Sequence, residues 1–135
     1  MLETNGMTLG DDPEFARSLS KYKKLHVRVS IKGCNADEFH RLTGARKSAY
    51  QLPFRALKHL IDASVSCNAC VSVSFSDANG INEIKGRLAS IHMGILKSLE
   101  LEKIKLFPKV RKRLAKEGLV ANKGVSCIYK SSNRI

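Results

Sequence analysis

Tryptophan is absent from this 135-residue sequence, and aromatic residues make up only 6% of it. Ring platforms for stacking bases are therefore scarce, which weighs against nucleic-acid recognition of that kind. No apolar run reaches about 18 residues, and the chain does not open on a basic segment followed by an apolar one. Neither a membrane span nor a secretory signal is expected. Four cysteines scattered over this length do not make a disulfide framework, so reduced thiols and a cytoplasmic location are expected. The run Gly6 to Gly10 lacks the G-x-G-x-x-G spacing of a phosphate-cradling loop. Internal repeats and low-complexity linkers are also missing. Acidic residues are scarce at one end only: residues 103–135 hold ten of the 24 Lys and Arg but a single acid, Glu117. Such a basic end fits nucleic acid or another anionic surface, or simply a solvated helix face.

What remains is ordinary for one globular domain: 43% apolar and 27% charged residues. Leu2 to Asn5 reads as a strand running into a polar loop. Asp12-Pro13-Glu14 is a helix start, with an N-cap, proline at the first helical position and an acid at the positive end of the dipole. That helix reaches about Tyr22, with Phe15 and Leu19 on one face. Leu25 to Ile31 alternates apolar and polar residues as a strand does. Asn35 to Glu38 has the form of a capping box, opening a helix to about Leu42 that breaks at Gly44.

Pro53 would cost about 3 kcal/mol inside a helix, so it belongs in the first turn of one running to Ala63. A strand is expected from Cys70 to Phe75. Ile81, Ile84, Leu88, Ile91, Ile95 and Leu99 then form a helical stripe that Gly94 is able to interrupt. Ile104 to Phe107 reads as a strand, and Pro108 opens a helix closed by Gly118. Val125 to Tyr129 reads as a last short strand.

The order βαβαβαβα implies an α/β fold with parallel strands and right-handed crossovers. A complete barrel of eight units runs to about 250 residues, so this chain holds about four. The expected architecture is an incomplete (β/α) barrel; the alternative is a small open parallel sheet with helices on both faces.

Leu2-Glu3-Thr4-Asn5-Gly6 resembles the third-strand "TNG" element of the radical S-adenosylmethionine (radical SAM) superfamily, in particular its archaeal-type members. Val27 to Gly33 resembles the fourth-strand "SLKG" element, and the stretch from Phe39 through Ala63 is similar to the approach to the fifth strand. Lys105-Leu106-Phe107-Pro108 falls where the sixth strand would lie. The resemblance covers about residues 2–118 and divides the chain into a partial barrel domain, 1–120, and a basic tail, 121–135. The family's C-x3-C-x2-C cluster loop and its glycine-glycine-acid strand are missing from this sequence. The chain is therefore expected to be the carboxyl half of such an enzyme, opening inside a motif, either split from a separately encoded amino half or truncated. Without a thiolate set for a [4Fe–4S] cluster, it is expected to bind none alone and to carry no catalytic residue of its own. S-adenosylmethionine and the cluster are implied only when an N-terminal half completes it.

Cys67-x2-Cys70 is half of a zinc pattern without a second half, and buried thiols are the simpler reading. His26, His40, His59 and His92 are isolated from carboxylates and nucleophiles at telling spacings, so no metal site is expected. Candidate cofactor-binding residues are Thr4, Asn5, Ser30, Lys32 and Ser74, all at strand ends, where α/β folds gather ligands. Thr4 and Asn5 offer hydrogen bonds and Lys32 a charge for a carboxylate or phosphate. The resemblance places Ser30 against the ribose of the cofactor. The same polar groups also serve as caps. Expected partners are the separate N-terminal half or a second copy meeting an open sheet edge. Nucleic acid, held by residues 103–113, is the alternative function.

Overall fold

Polar caps ahead of an apolar run set three of the helices. The computed structural model describes residues 1–104 and 107–119. In order they form β1 (Leu2–Thr4), α1 (Met7–Asp11), α2 (Pro13–Leu19), β2 (His26–Lys32) and α3 (Ala36–Thr43). After a 3-10 turn (Lys47–Gln51) come α4 (Leu52–Asp62), β3 (Ser66–Ser72), α5 (Ala78–Ile91), α6 (Gly94–Lys97), β4 (Glu100–Glu102) and α7 (Pro108–Lys116). Asp12, Asn35 and Asp77 cap α2, α3 and α5, accepting from the amides of Glu14, Glu38 and Gly80 at 3.0, 2.8 and 2.7 Å. Glu38 reaches back to the Cys34 amide at 3.4 Å, a variant of the expected box. Gly44, at φ 75°, closes α3 in the left-handed conformation that glycine adopts without strain.

The four strands form one open, all-parallel sheet in the order β1-β2-β3-β4. Doubly wound sheets reverse their order at a switch point; this one does not, so each crossover steps the same way. The four βα units read from the sequence are thus present, and the order is that of a barrel segment. Val27, Val29 and Ile31 of β2 and Ala69 and Val71 of β3 share one apolar cluster with Leu57 and Leu60 of α4, Ile84 and Leu88 of α5, and Ile95 of α6. Strand side chains alternate, so the opposite face carries Glu3, His26, Arg28, Ser30, Lys32, Ser66, Asn68, Cys70, Ser72, Glu100 and Glu102.

Three elements differ from the sequence reading. β3 starts at Ser66 rather than Cys70, because Ser66, Cys67, Asn68 and Ala69 are poor strand formers yet pair in full register with His26 to Val29. β4, Glu100–Glu102, is a strand the sequence reading did not place, its two carboxylates masking an alternation that Leu99 and Leu101 support; the strand expected at Ile104–Phe107 falls partly outside the described residues. Leu99 directly precedes that strand and lies outside any helix. The stripe itself stops at Ile91, where His92 turns extended at φ −165° and ψ 128°. An unexpected turn of helix, α1, replaces the polar loop after β1. The strand expected at Val125–Tyr129 and the tail 121–135 lie outside the described residues.

Candidate functional site

The face opposite the helices is organised by one arginine. Arg28 lies at the centre of β2, paired in register with Glu3 of β1 and Asn68 of β3. Its Nε donates to Glu100 Oε2 at 2.7 Å, one terminal nitrogen to Glu3 Oε1 at 2.5 Å, and the other to Cys70 Sγ at 3.0 Å and to Glu102 Oε1. Arg28 is 6% exposed, Cys70 1% and Glu100 3%. Burial acts against the guanidinium charge, but hydrogen bonds to Glu102 and Glu100 outweigh it and hold its pKa above the ordinary arginine value. Burial likewise acts to raise Glu102, and the Arg28 and Cys70 hydrogen bonds bring it below the usual carboxylate range. The Cys70 thiol is pushed up to about 12, by burial first and by Glu102 second.

Cys70, Glu100 and Glu102 place ligand atoms within 4.8 Å of one another. The geometry would suit a cation, and the cation there is Arg28, with its terminal nitrogen 2.5 Å from Glu100 Oε2. A metal ion would have to displace it, so the residues do not read as a metal centre.

At the carboxyl ends of β2, β3 and β4 the polar face opens into a cavity of about 280 Å³, lined by Lys32, Ser72, Ser74, Glu102, Lys103 and Ile104 with Leu42 and Phe75. Of the five residues expected at the site, Lys32 and Ser74 line this cavity. Lys32 is exposed, while Ser74 is buried and accepts a hydrogen bond from the Ile104 amide at 2.6 Å. Thr4, Asn5 and Ser30 do not line it. Thr4 Oγ1 accepts from the Gly6 amide at 3.1 Å and Asn5 Oδ1 from the Met7 amide at 3.0 Å, so both close the turn after β1. Ser30 is half-buried on the polar face, opposite Cys70 in register.

The described thiols do not fit a [4Fe–4S] cluster. Cys67 and Cys70 project to opposite faces of β3, and Cys34 is buried at the start of α3, where Ser76 hydrogen-bonds it. Burial pushes Cys34 and Cys67 up to about 11. The histidines are bound into the scaffold. His26 holds Ser66 and Asn68 at 2.7 Å each, His40 the Ala45 carbonyl at 2.8 Å and His59 the Leu9 carbonyl at 2.7 Å, while His92 accepts from the Gly94 amide at 2.9 Å.

Sequence reasoning missed the Arg28 network. Its signal was charge at every second position: Glu3, then Arg28 amid valines, then Glu100 and Glu102 about Leu101. No helix is long and apolar enough to cross a membrane among the described residues. No protein-family model, curated protein or solved structure matches this chain.

Proposed function

We propose that the chain is the carboxyl-half unit of a radical SAM-type barrel, cytoplasmic, which takes part of S-adenosylmethionine at its strand ends and performs no radical chemistry by itself. The observation that carries the reading is an uninterrupted order of four parallel strands among the described residues, whose polar face opens at the strand ends into a cavity holding Lys32 and Ser74. Lys32 offers its ammonium to the carboxylate of the ligand, a charge-assisted bond. Ser30, on the same strand and face, offers a hydroxyl to the ribose. Thr4 and Asn5 shape the β1 turn and contribute by position alone. The cluster, when supplied by a completing half, would bring the electron; no step is assigned to the thiols of this chain.

The test is titration of the full chain with S-adenosylhomocysteine, which needs no cluster. The melting temperature rises with ligand, since binding to the folded state alone stabilises it. Lys32→Ala weakens the affinity about tenfold, equivalent to about 1.4 kcal/mol. A melting temperature unmoved by the analogue overturns the proposal.

A second reading, binding of a nucleic acid, draws on α7. It carries Lys109, Arg111, Lys112, Arg113 and Lys116 with no acid and no buried residue. On this reading, log affinity for a single-stranded oligonucleotide falls against log salt by about 0.7 per phosphate neutralised. Affinity indifferent to salt removes it.

A further inference from the structure

The amino-terminal end of the polar face holds a chain of hydrogen bonds that neither the arginine network nor the strand-end cavity uses. His26 opens β2 in register with Ser66, the first residue of β3, and Asn68 follows two residues on, on the same face. One imidazole therefore spans both: Nδ1 lies 2.7 Å from Ser66 Oγ and Nε2 lies 2.7 Å from Asn68 Oδ1. Asn68 is 5% exposed, and its amide nitrogen donates to the Ser98 carbonyl at 3.2 Å. That bond fixes which way the amide faces and leaves Oδ1, an acceptor, toward the ring. Nε2 then carries the proton and Nδ1 a lone pair, so the Ser66 hydroxyl is the donor. The anchored amide is buried while the hydroxyl at the other end of the chain is exposed.

We propose that Ser66 is a nucleophile for acyl transfer, with His26 as its base and Asn68 as the positioning residue that holds the imidazole tautomer. A separation of 40 residues between His26 and Ser66 hides the pair in the sequence. Ser66 lines a cavity of about 440 Å³ walled by Ile61, Val65 and Ile95. His26 and Asn68 line a second, of about 180 Å³, and Ser98 borders both. The larger cavity suits a short apolar acyl chain, so the substrate class is a carboxylic ester of such an acid. In the first half-reaction Ser66 Oγ bonds to the ester carbonyl carbon and its proton passes to His26 Nδ1. The carbon–oxygen bond to the alcohol breaks, and the departing oxygen takes that proton. In the second half water gives its proton to Nδ1 and its oxygen to the acyl carbon, and the acid leaves as Ser66 regains a proton. Ser64, which also lines the larger cavity, has a positive φ of 58° among the described non-glycine residues. Strain of this kind collects where a backbone is held for chemistry. This inference does not rest on the cofactor reading, because it uses the opposite end of the strands.

The experiment treats the full chain with an alkyl fluorophosphonate, from which an activated serine displaces fluoride at phosphorus, and locates the adduct by mass spectrometry. The expected result is one adduct per chain, on Ser66, absent when the same chain is unfolded in urea. The labelled chain no longer hydrolyses p-nitrophenyl butyrate. His26→Gln slows labelling about a hundredfold while the far-ultraviolet spectrum is unchanged. Should that variant fail to fold, the folded and urea-unfolded wild type make the same comparison. Nitrogen NMR of the His26 imidazole shows the proton on Nε2, and Asn68→Ala turns it into a mixture of tautomers, which loss of packing alone does not do. No adduct on Ser66, equal labelling of the unfolded chain, labelling indifferent to His26→Gln, a proton on Nδ1, or a tautomer unmoved by Asn68→Ala overturns the proposal. Titration of Ser66→Ala with S-adenosylhomocysteine separates its failure from failure of the cofactor reading.

Discussion

Arg28 is the residue on which the polar face depends. A buried cation among three carboxylates is tolerated because each partner compensates the others, and removing it takes the guanidinium from the buried Glu100 and the half-buried Glu102. Arg28→Met should therefore cost about 3–5 kcal/mol in urea denaturation. The pH dependence separates this mechanism from loss of packing. In the wild type Glu102 is held below the usual carboxylate range, so as pH falls the unfolded chain takes up its proton first. Its contribution is complete above the unfolded carboxyl value of about 4.3 and is lost as pH falls through the lower folded value. The urea midpoint should drop over that window, and Glu102→Gln should remove its share of the slope. In Arg28→Met that slope should shrink or reverse, because Glu102 keeps the burial that raises it and loses the Arg28 bonds that lower it. Equal slopes in the wild type and Arg28→Met would show that the guanidinium does not compensate Glu102.

Helices were more legible than strands because their stop and start signals are local. Asp12-Pro13, Asn35 to Glu38, Asp77 and Pro108 each act within one turn, and the helices begin there. The start of β3 was misplaced and β4 was missed because their partners decide them. Ser66 to Ala69 pairs as a strand where β2 lies alongside, and Glu100 and Glu102 of β4 meet Arg28 across β3. Glycines make the same point within the helices. A Cβ on Gly10 would lie 2.7 Å from the Leu52 carbonyl carbon and 2.8 Å from its Cα, so α1 sits on α4 through glycine alone. One on Gly86 meets nothing within 4 Å. Gly10→Ala should destabilise by roughly 1–3 kcal/mol by forcing α1 off α4, whereas Gly86→Ala should stabilise by about 1 kcal/mol through helix propensity. Paired urea midpoints decide this, and effects of the same sign would mean that the α1–α4 contact is not tight.

At the scale of the whole molecule, the order of four βα units was readable from alternating periodicities. Of the candidate residues read from the sequence, Lys32 and Ser74 line the strand-end cavity, but an arginine network spanning all four strands needs the register. Three described thiols sample this architecture from different sides: Cys34 at the strand ends, Cys67 on the helix side and Cys70 beneath Arg28. Burial raises them to about 11, 11 and 12, so the thiolate fraction near pH 8 is only about one in a thousand to one in ten thousand. The folded chain thus holds these protons above the unfolded thiol value of about 8.5, and stability present below that value is lost as pH rises through 11 to 12. In native protein at pH 8 the three should alkylate only through opening, each site followed by mass spectrometry. If the sheet and its helices are one cooperative unit, all three share one opening free energy and lose protection together along a urea series. Release of Cys70 ahead of Cys67 would instead show that the polar face opens while the helix-side core stays closed. Stability would then be divided between the two faces of a single sheet.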